Sequence, residues 1–187
     1  MKLRAILTTL TLTAALAVAA TADDLVANGS GMRTKPILGA MYELELRVPS
    51  ALKGADAKTL IEADQPMAYV LTIKSGLINR TRYIQATTEG FQKAAESGYA
   101  TEQQAAFLAQ FDDTVFHKGD VILMHYGPAG LTSTYKTLIR SKGEPDTFEE
   151  TVLATLPGLD LKQAVFAIWL GDSPVQISLQ KALLGNR

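Results

Sequence analysis

Val121-Ile122-Leu123-Met124-His125-Tyr126 runs into Gly127-Pro128-Ala129-Gly130 and then into a second β-prone stretch from Leu131 to Ile139. Two extended stretches joined by a Gly/Pro turn read as an antiparallel hairpin, here with a four-residue loop. So short a connection cannot join parallel strands, which need a crossover of a dozen residues or more. Lys118-Gly119-Asp120 is the turn into the hairpin, and Ser141-Lys142-Gly143-Glu144 is the turn out of it. Phe148 to Leu153 follows as one more strand or an irregular edge.

Upstream, the chain alternates from Met41. Tyr42, Leu44, Leu46 and Val48 face one way, and Met41, Glu43, Glu45 and Arg47 the other. A period of two marks a half-buried strand. Leu25 to Met32 reads as a short strand interrupted by the turn-forming Asn28-Gly29-Ser30-Gly31. Ala57 to Ala63 is a short helix stopped by Asp64-Gln65-Pro66, and Met67 to Ile73 is a strand. The middle is helical, with Tyr83, Ala86, Thr87, Gly90, Phe91 and Ala94 at helical spacing and Ser97-Gly98 as the stop. Thr101-Glu102-Gln103-Gln104 has capping-box form and predicts a further helix burying Ala105, Leu108 and Phe111.

Near the C-terminus, Asp160 is the expected cap of a helix, with Gln163 at its third position. Val165, Ile168 and Trp169 form its apolar stripe, and Phe166 and Leu170 widen it, so this helix is buried. Gly171 ends it. Ser173-Pro174-Val175-Gln176 has the form of a second start, for a last helix carrying Leu179, Leu183 and Leu184. Hairpins outnumber parallel crossovers. The class is α+β, with helices packed on a largely antiparallel sheet.

Composition bounds the function. Met1-Lys2-Leu3-Arg4, the apolar run from Ala5 to Ala19 and the small residues Ala20-Thr21-Ala22 follow the order of a cleavable signal peptide. Residues 1–22 are therefore expected to be a signal peptide and 23–187 a single domain of about 165 residues. The expected destination is outside the cytoplasm, in the periplasm, without stable membrane insertion. The net charge is −1 with no basic run, which argues against a nucleic-acid or an anionic-membrane partner. With no cysteine, no disulfide or thiolate site holds the fold. Two histidines, His117 and His125, without ligand spacing argue against zinc, and no cofactor is expected. His125 is expected to be a satisfied or exposed strand residue, and Asp112-Asp113 and Glu149-Glu150 to be solvated.

Phe166-Ala167-Ile168-Trp169-Leu170-Gly171-Asp172-Ser173-Pro174-Val175, with Leu179 and Lys181-Ala182-Leu183-Leu184-Gly185, resembles the C-terminal signature of bacterial chalcone isomerase-like proteins. Asn28-Gly29-Ser30-Gly31-Met32-Arg33-Thr34-Lys35 resembles their N-terminal Asn-Gly-x-Gly-x-Arg segment. The resemblance spans nearly the whole expected mature chain. It implies an open-faced β-sandwich, a large antiparallel sheet with helices layered on it.

It also implies a site. In the family an arginine at the position of Arg33 holds an anionic oxygen, and its planar fork suits phenolate or carboxylate alike. The threonine that contacts ligand on the signature helix of the true enzymes is replaced here by Ile168, which neither donates nor accepts. The family threonine after the arginine falls at Met41 or Tyr42, and the central-helix Tyr and Asn fall between Arg80 and Thr88. Arg33, Tyr42, Tyr83 and Thr87 are thus the candidate ligand-binding residues. The alternatives are a structural Arg33 paired with Glu43 or Glu45, and core roles for Tyr83 and Thr87. Trp169, Phe166 and Leu170 are expected in the core rather than in a pocket wall. An arginine kept while the hydroxyl set is incomplete is the pattern of non-catalytic relatives that bind fatty acids. The leading expectation is non-catalytic binding of an amphipathic anion in an apolar cleft. An isomerase or intramolecular lyase acting on a small enone or phenolic ligand is the first alternative, and a structural envelope accessory protein the second.

Overall fold

Alternating or β-branched stretches form six strands that pair in simple chain order. The computed structural model describes residues 24–185, and the signal peptide expected at 1–22 lies outside the described residues. The strands are β1 (Val26–Lys35), β2 (Gly39–Val48), β3 (Met67–Ile73), β4 (Val121–Gly127), β5 (Gly130–Ile139) and β6 (Thr147–Leu156). Every neighbouring pair is antiparallel. Five α-helices are described: α1 (Ala57–Glu62), α2 (Arg80–Glu96), α3 (Gln104–Ala109), α4 (Leu159–Leu170) and α5 (Ile177–Leu183). The result is α+β, an open-faced sandwich.

Register explains which face the helices cover. Leu44, Leu71, Ile122 and Tyr135 stand opposite one another across four strands, as do Leu46, Tyr69 and Met124 across three. These side chains are buried under the helices. The alternate row runs Glu43, Thr72, Val121, Lys136 and Glu150. It carries ion pairs at its two ends, Lys74 to Glu43 at 2.8 Å and Lys136 to Glu150 at 2.7 Å. The strand expected at Phe148 to Leu153 is the longer edge strand β6. The β4–β5 hairpin is tighter than expected: Gly127 pairs with Gly130, so only Pro128 and Ala129 form its loop.

The expected turn at Asn28-Gly29-Ser30-Gly31 is instead continuous strand, with a bulge at Asn28. Gly29, Gly31 and Arg33 are opposite Leu46, Leu44 and Tyr42, hence on the helix-covered face. There α5 lies against β1. A Cβ on Gly31 would stand 2.8 Å from Cβ of Ala182 and 2.9 Å from Cδ1 of Leu179, and one on Gly29 would overlap the Ala182 carbonyl. The glycines serve close approach, not a turn. Asn28 fixes the contact: its Nδ2 donates to the Leu183 carbonyl at 2.7 Å, and its Oδ1 accepts from the Gly54 amide at 2.8 Å.

Helix α4 is the centre of the core, with nine of its residues buried. It packs on α2, α1 and β5. At the α2 crossing Ile168 fills the notch left by Gly90, where a Cβ would come within 2.8 Å of it. Three expected caps are absent. Asp160 sits inside α4 and accepts from the Thr101 hydroxyl at 2.6 Å, while Gly158 holds the N-cap. Helix α5 begins after Gln176 rather than Ser173, and α3 after Gln103. In the α3 region Phe107 and Phe111 are the buried anchors and Ala105 is exposed, because the short helix turns a different side to the core. His125 is neither satisfied nor exposed: it is half-buried, its Nε2 has no partner among the described residues, and burial pushes its pKa down.

Lys162 is the residue least expected in this core. Its side chain is fully buried, and Nζ donates to the carbonyls of Leu60, Ile61 and Ala63 at 2.6, 2.8 and 2.8 Å. Three N–H donors thus meet three carbonyls at the open end of α1. Burial pushes the ammonium down to about 7, opposed by Asp64.

Two substitutions test these contacts. Gly31→Val should lower stability by about 1–3 kcal/mol through overpacking against α5, read from the urea midpoint. Lys162→Met should cost about 3 kcal/mol, read from the urea midpoint, because it leaves the buried Leu60 and Ile61 carbonyls without their donor.

Candidate functional site

The site begins with a gap between layers. Where α2 and α4 lie over β1 to β4, they leave a cleft with a cavity volume of about 150 Å³. Its sheet side is formed by Tyr42, Leu71, Ile73, Ile122 and Met124. Its helix side is formed by Tyr83, Ala86, Thr87 and Gly90 from α2 and by Val165, Ile168 and Trp169 from α4. The lining is mostly apolar, and the exceptions converge.

Arg33 lines the cleft from β1. Its Nη1 donates to Oε1 of Gln176 at 2.9 Å and to the Thr34 carbonyl at 3.0 Å. Gln176 is held in turn: its Oε1 accepts from the Thr34 amide at 3.1 Å, and its Nε2 donates to Oγ of Ser178 at 2.7 Å and to the Met32 carbonyl at 3.3 Å. The expected alternative of an ion pair with Glu43 or Glu45 does not form, since those carboxylates bind Lys74 and Arg47. Nε and Nη2 of Arg33 have no partner among the described residues, so three of the five N–H donors remain for an anion.

The other three sequence candidates line the same cleft. Tyr42 accepts a hydrogen bond from Nε1 of Trp169 at 2.9 Å. Burial pushes its phenol up, while the Trp169 bond and the Arg33 charge oppose the shift. Tyr83 is also pushed up by burial, opposed by the Thr87 hydroxyl, and its ring packs 4.6 Å from Phe111 and 5.0 Å from Phe116. Both phenols therefore remain protonated donors at neutral pH. Tyr83 has a core role and a cleft role at once.

Sequence reasoning missed part of the site. Trp169, expected in the core, is buried and is also a cleft wall, and Ile168 lines the cleft beside it. Phe166 and Leu170 are buried as expected. Lys35, Arg82 and Lys93 add cations to Arg33 along the lining, against one carboxylate, Glu89. Among the described residues none of the four cations forms an ion pair. Gln176 carries no local signal of its role, because its partner lies 143 residues away. The cations had a weak signal, since Arg82 and Lys93 share α2 with Tyr83 and Thr87.

An antiparallel open-faced sheet, helices over one face and a basic-rimmed apolar cleft between them define the class of fold. The family model described as chalcone isomerase-like matches residues 8–185, and the chain belongs to that family. A crystal structure of a fatty-acid binding protein from Arabidopsis thaliana has a similar fold, with a TM-score of 0.62 and 16% sequence identity over 87% of each chain. No curated protein matches this chain.

Trp169 is the sole tryptophan, so its emission reports this cleft alone. Its emission should be blue-shifted in the folded protein and resist quenching by iodide. Tyr42→Phe, which removes its hydrogen-bond acceptor, should alter that emission and cost about 1 kcal/mol of stability.

Proposed function

We propose that this protein binds an amphipathic anion, such as a fatty acid, and does not transform it. One observation carries the reading: Arg33 stands at an apolar cleft, fixed through Nη1 by a neutral glutamine, with its remaining donors uncommitted. A carboxylate fits a guanidinium fork with two parallel hydrogen bonds. The cleft accepts the apolar part, and its enclosed volume is close to that of a cavity that holds a benzene-sized group. A longer chain would extend toward the rim. The similarity to a fatty-acid binding protein agrees with this reading. The open cleft and the lack of an internal carboxylate partner for Arg33 favour a ligand over a purely structural role.

Ile168 weighs against turnover, because it leaves α4 without a hydroxyl to stabilise a developing enolate. Isomerisation of a small enone or phenol is the second reading. Three hydroxyls, from Tyr42, Tyr83 and Thr87, do share the cleft with Arg33. The character of residues 1–22 supports export to the periplasm, where the protein would meet amphipathic envelope molecules.

Titration with laurate, followed by Trp169 emission, tests binding. Wild type should saturate, and Arg33→Ala should weaken the affinity at least about ten-fold, the loss expected for a charged hydrogen bond. An unchanged dissociation constant would remove Arg33 from the role. Conversion of any member of a chalcone panel, abolished by Arg33→Ala, would favour the isomerase reading.

A further inference from the structure

The three-residue turn between β1 and β2 holds one side-chain-bearing residue in a strained conformation. Ile37 has φ = 68°, and it is the one non-glycine residue at positive φ among those described. The Leu38 amide donates to the Pro36 carbonyl at 2.8 Å, an i to i+2 bond. This is a γ-turn of the rare positive-φ kind, strained in itself and more so around a β-branched residue. The residue is 105% exposed, so no packing among the described residues offsets the strain. Leu38 beside it is 51% exposed.

The position matters as much as the strain. Lys35 and Met41, on either side of the turn, both line the cleft. Two other segments at the rim expose large apolar side chains as well. Leu77 is next to the cleft residue Ile78, and its carbonyl accepts from Nη1 of Arg82 at 2.8 Å. Ile177 follows Gln176, the residue that fixes Arg33. Ile37, Leu38, Leu77 and Ile177, four of the nine exposed large hydrophobics among the described residues, thus flank the cleft or Gln176. Single exposed apolar residues need no explanation, but a group beside a cleft opening marks an interaction surface.

We propose that this rim docks on an anionic lipid bilayer, with Ile37 and Leu38 entering the headgroup region. Charge selects a membrane as the occupant, against the expectation from composition: the sequence has no basic run, but the fold gathers cations from β1 and α2 around one opening. Lys35, Arg82, Lys93 and Arg33 lie around the same opening without internal carboxylate partners, and apolar tips among basic side chains match an interface of acyl chains under anionic phosphates. Among the described residues no helix is long and apolar enough to cross a membrane, so the contact is peripheral and reversible. The turn carries Ile37 outward at its tip. The docked orientation sets the cleft mouth against the lipid, so that an amphipathic anion passes between membrane and cleft without crossing water. That last consequence rests on the binding reading above, and the docking itself does not.

Flotation of the purified chain with vesicles of equal parts phosphatidylglycerol and phosphatidylcholine tests the proposal. Wild type should float, and do so less with phosphatidylcholine alone. Ile37→Asp combined with Leu38→Asp should lower the partition coefficient at least about ten-fold. Ile37→Gly should lower it too while raising the melting temperature, because glycine takes positive φ without strain. That pair of opposite changes separates docking from misfolding. Wild type remaining unbound, or the double aspartate variant floating like wild type, overturns the proposal. So does a loss of self-association in the same variants without any vesicle binding, which would make the tip an interface between copies. Laurate titration without vesicles should be the same for all these proteins. If it saturates while flotation fails, only the docking is lost; if laurate never binds, the function above is wrong whatever the vesicles show.

Discussion

Between β1 and α5 there is no room for a side chain. Gly29 and Gly31 put bare backbone under the last helix, and Asn28 ties that helix to the strand through the Leu183 carbonyl. This contact sets where Gln176 lies, and Gln176 sets where Arg33 points. The arginine follows the two glycines at a spacing of two, so the strand delivers all three to one face. The Asn-Gly-x-Gly-x-Arg segment and the C-terminal signature are therefore two halves of one structure. Without the glycines, α5 would stand off the sheet, and the guanidinium would lose its partner.

The cleft is kept open by a second constraint. Ile168 is taken up by the Gly90 notch, and this close α2–α4 contact leaves space on the sheet side rather than between the helices. Trp169 donates to the Tyr42 hydroxyl across that space. Arg33 keeps three uncommitted N–H donors at one side of that space. An anion with an apolar tail meets complementary groups in that order, charge at the rim and hydrocarbon within.

The strands from Met41, Met67 and Val121, and helices α2 and α4, are legible in the sequence because long, regular burial patterns dominate their neighbourhoods. The errors arise where a local rule meets a distant partner. Asn28-Gly29-Ser30-Gly31 has the composition of a turn, yet α5, some 150 residues later, makes it a strand. Asp160 has the form of a cap, but its carboxylate is drawn to the Thr101 hydroxyl. Lys162 shows no local sign in the sequence of its place as the plug of α1. In the site, Arg33, Tyr42, Tyr83 and Thr87 do come together. Gln176 and the exposed strain at Ile37 are invisible in the sequence, since one depends on long-range contact and the other on a backbone angle.

The contact between Asn28 and Leu183 spans 155 residues of chain. During synthesis β1 emerges early and its covering helix last, so this bond is among the last that the domain can make. A chain cut short before Gln176 could still pair its strands, but it would hold Arg33 loosely and leave two glycines bare. The aim of Arg33 is in this way coupled to the docking of an element from the other end of the domain. Arg33 has its glutamine partner, and the β1 glycines their cover, only once α5 has docked.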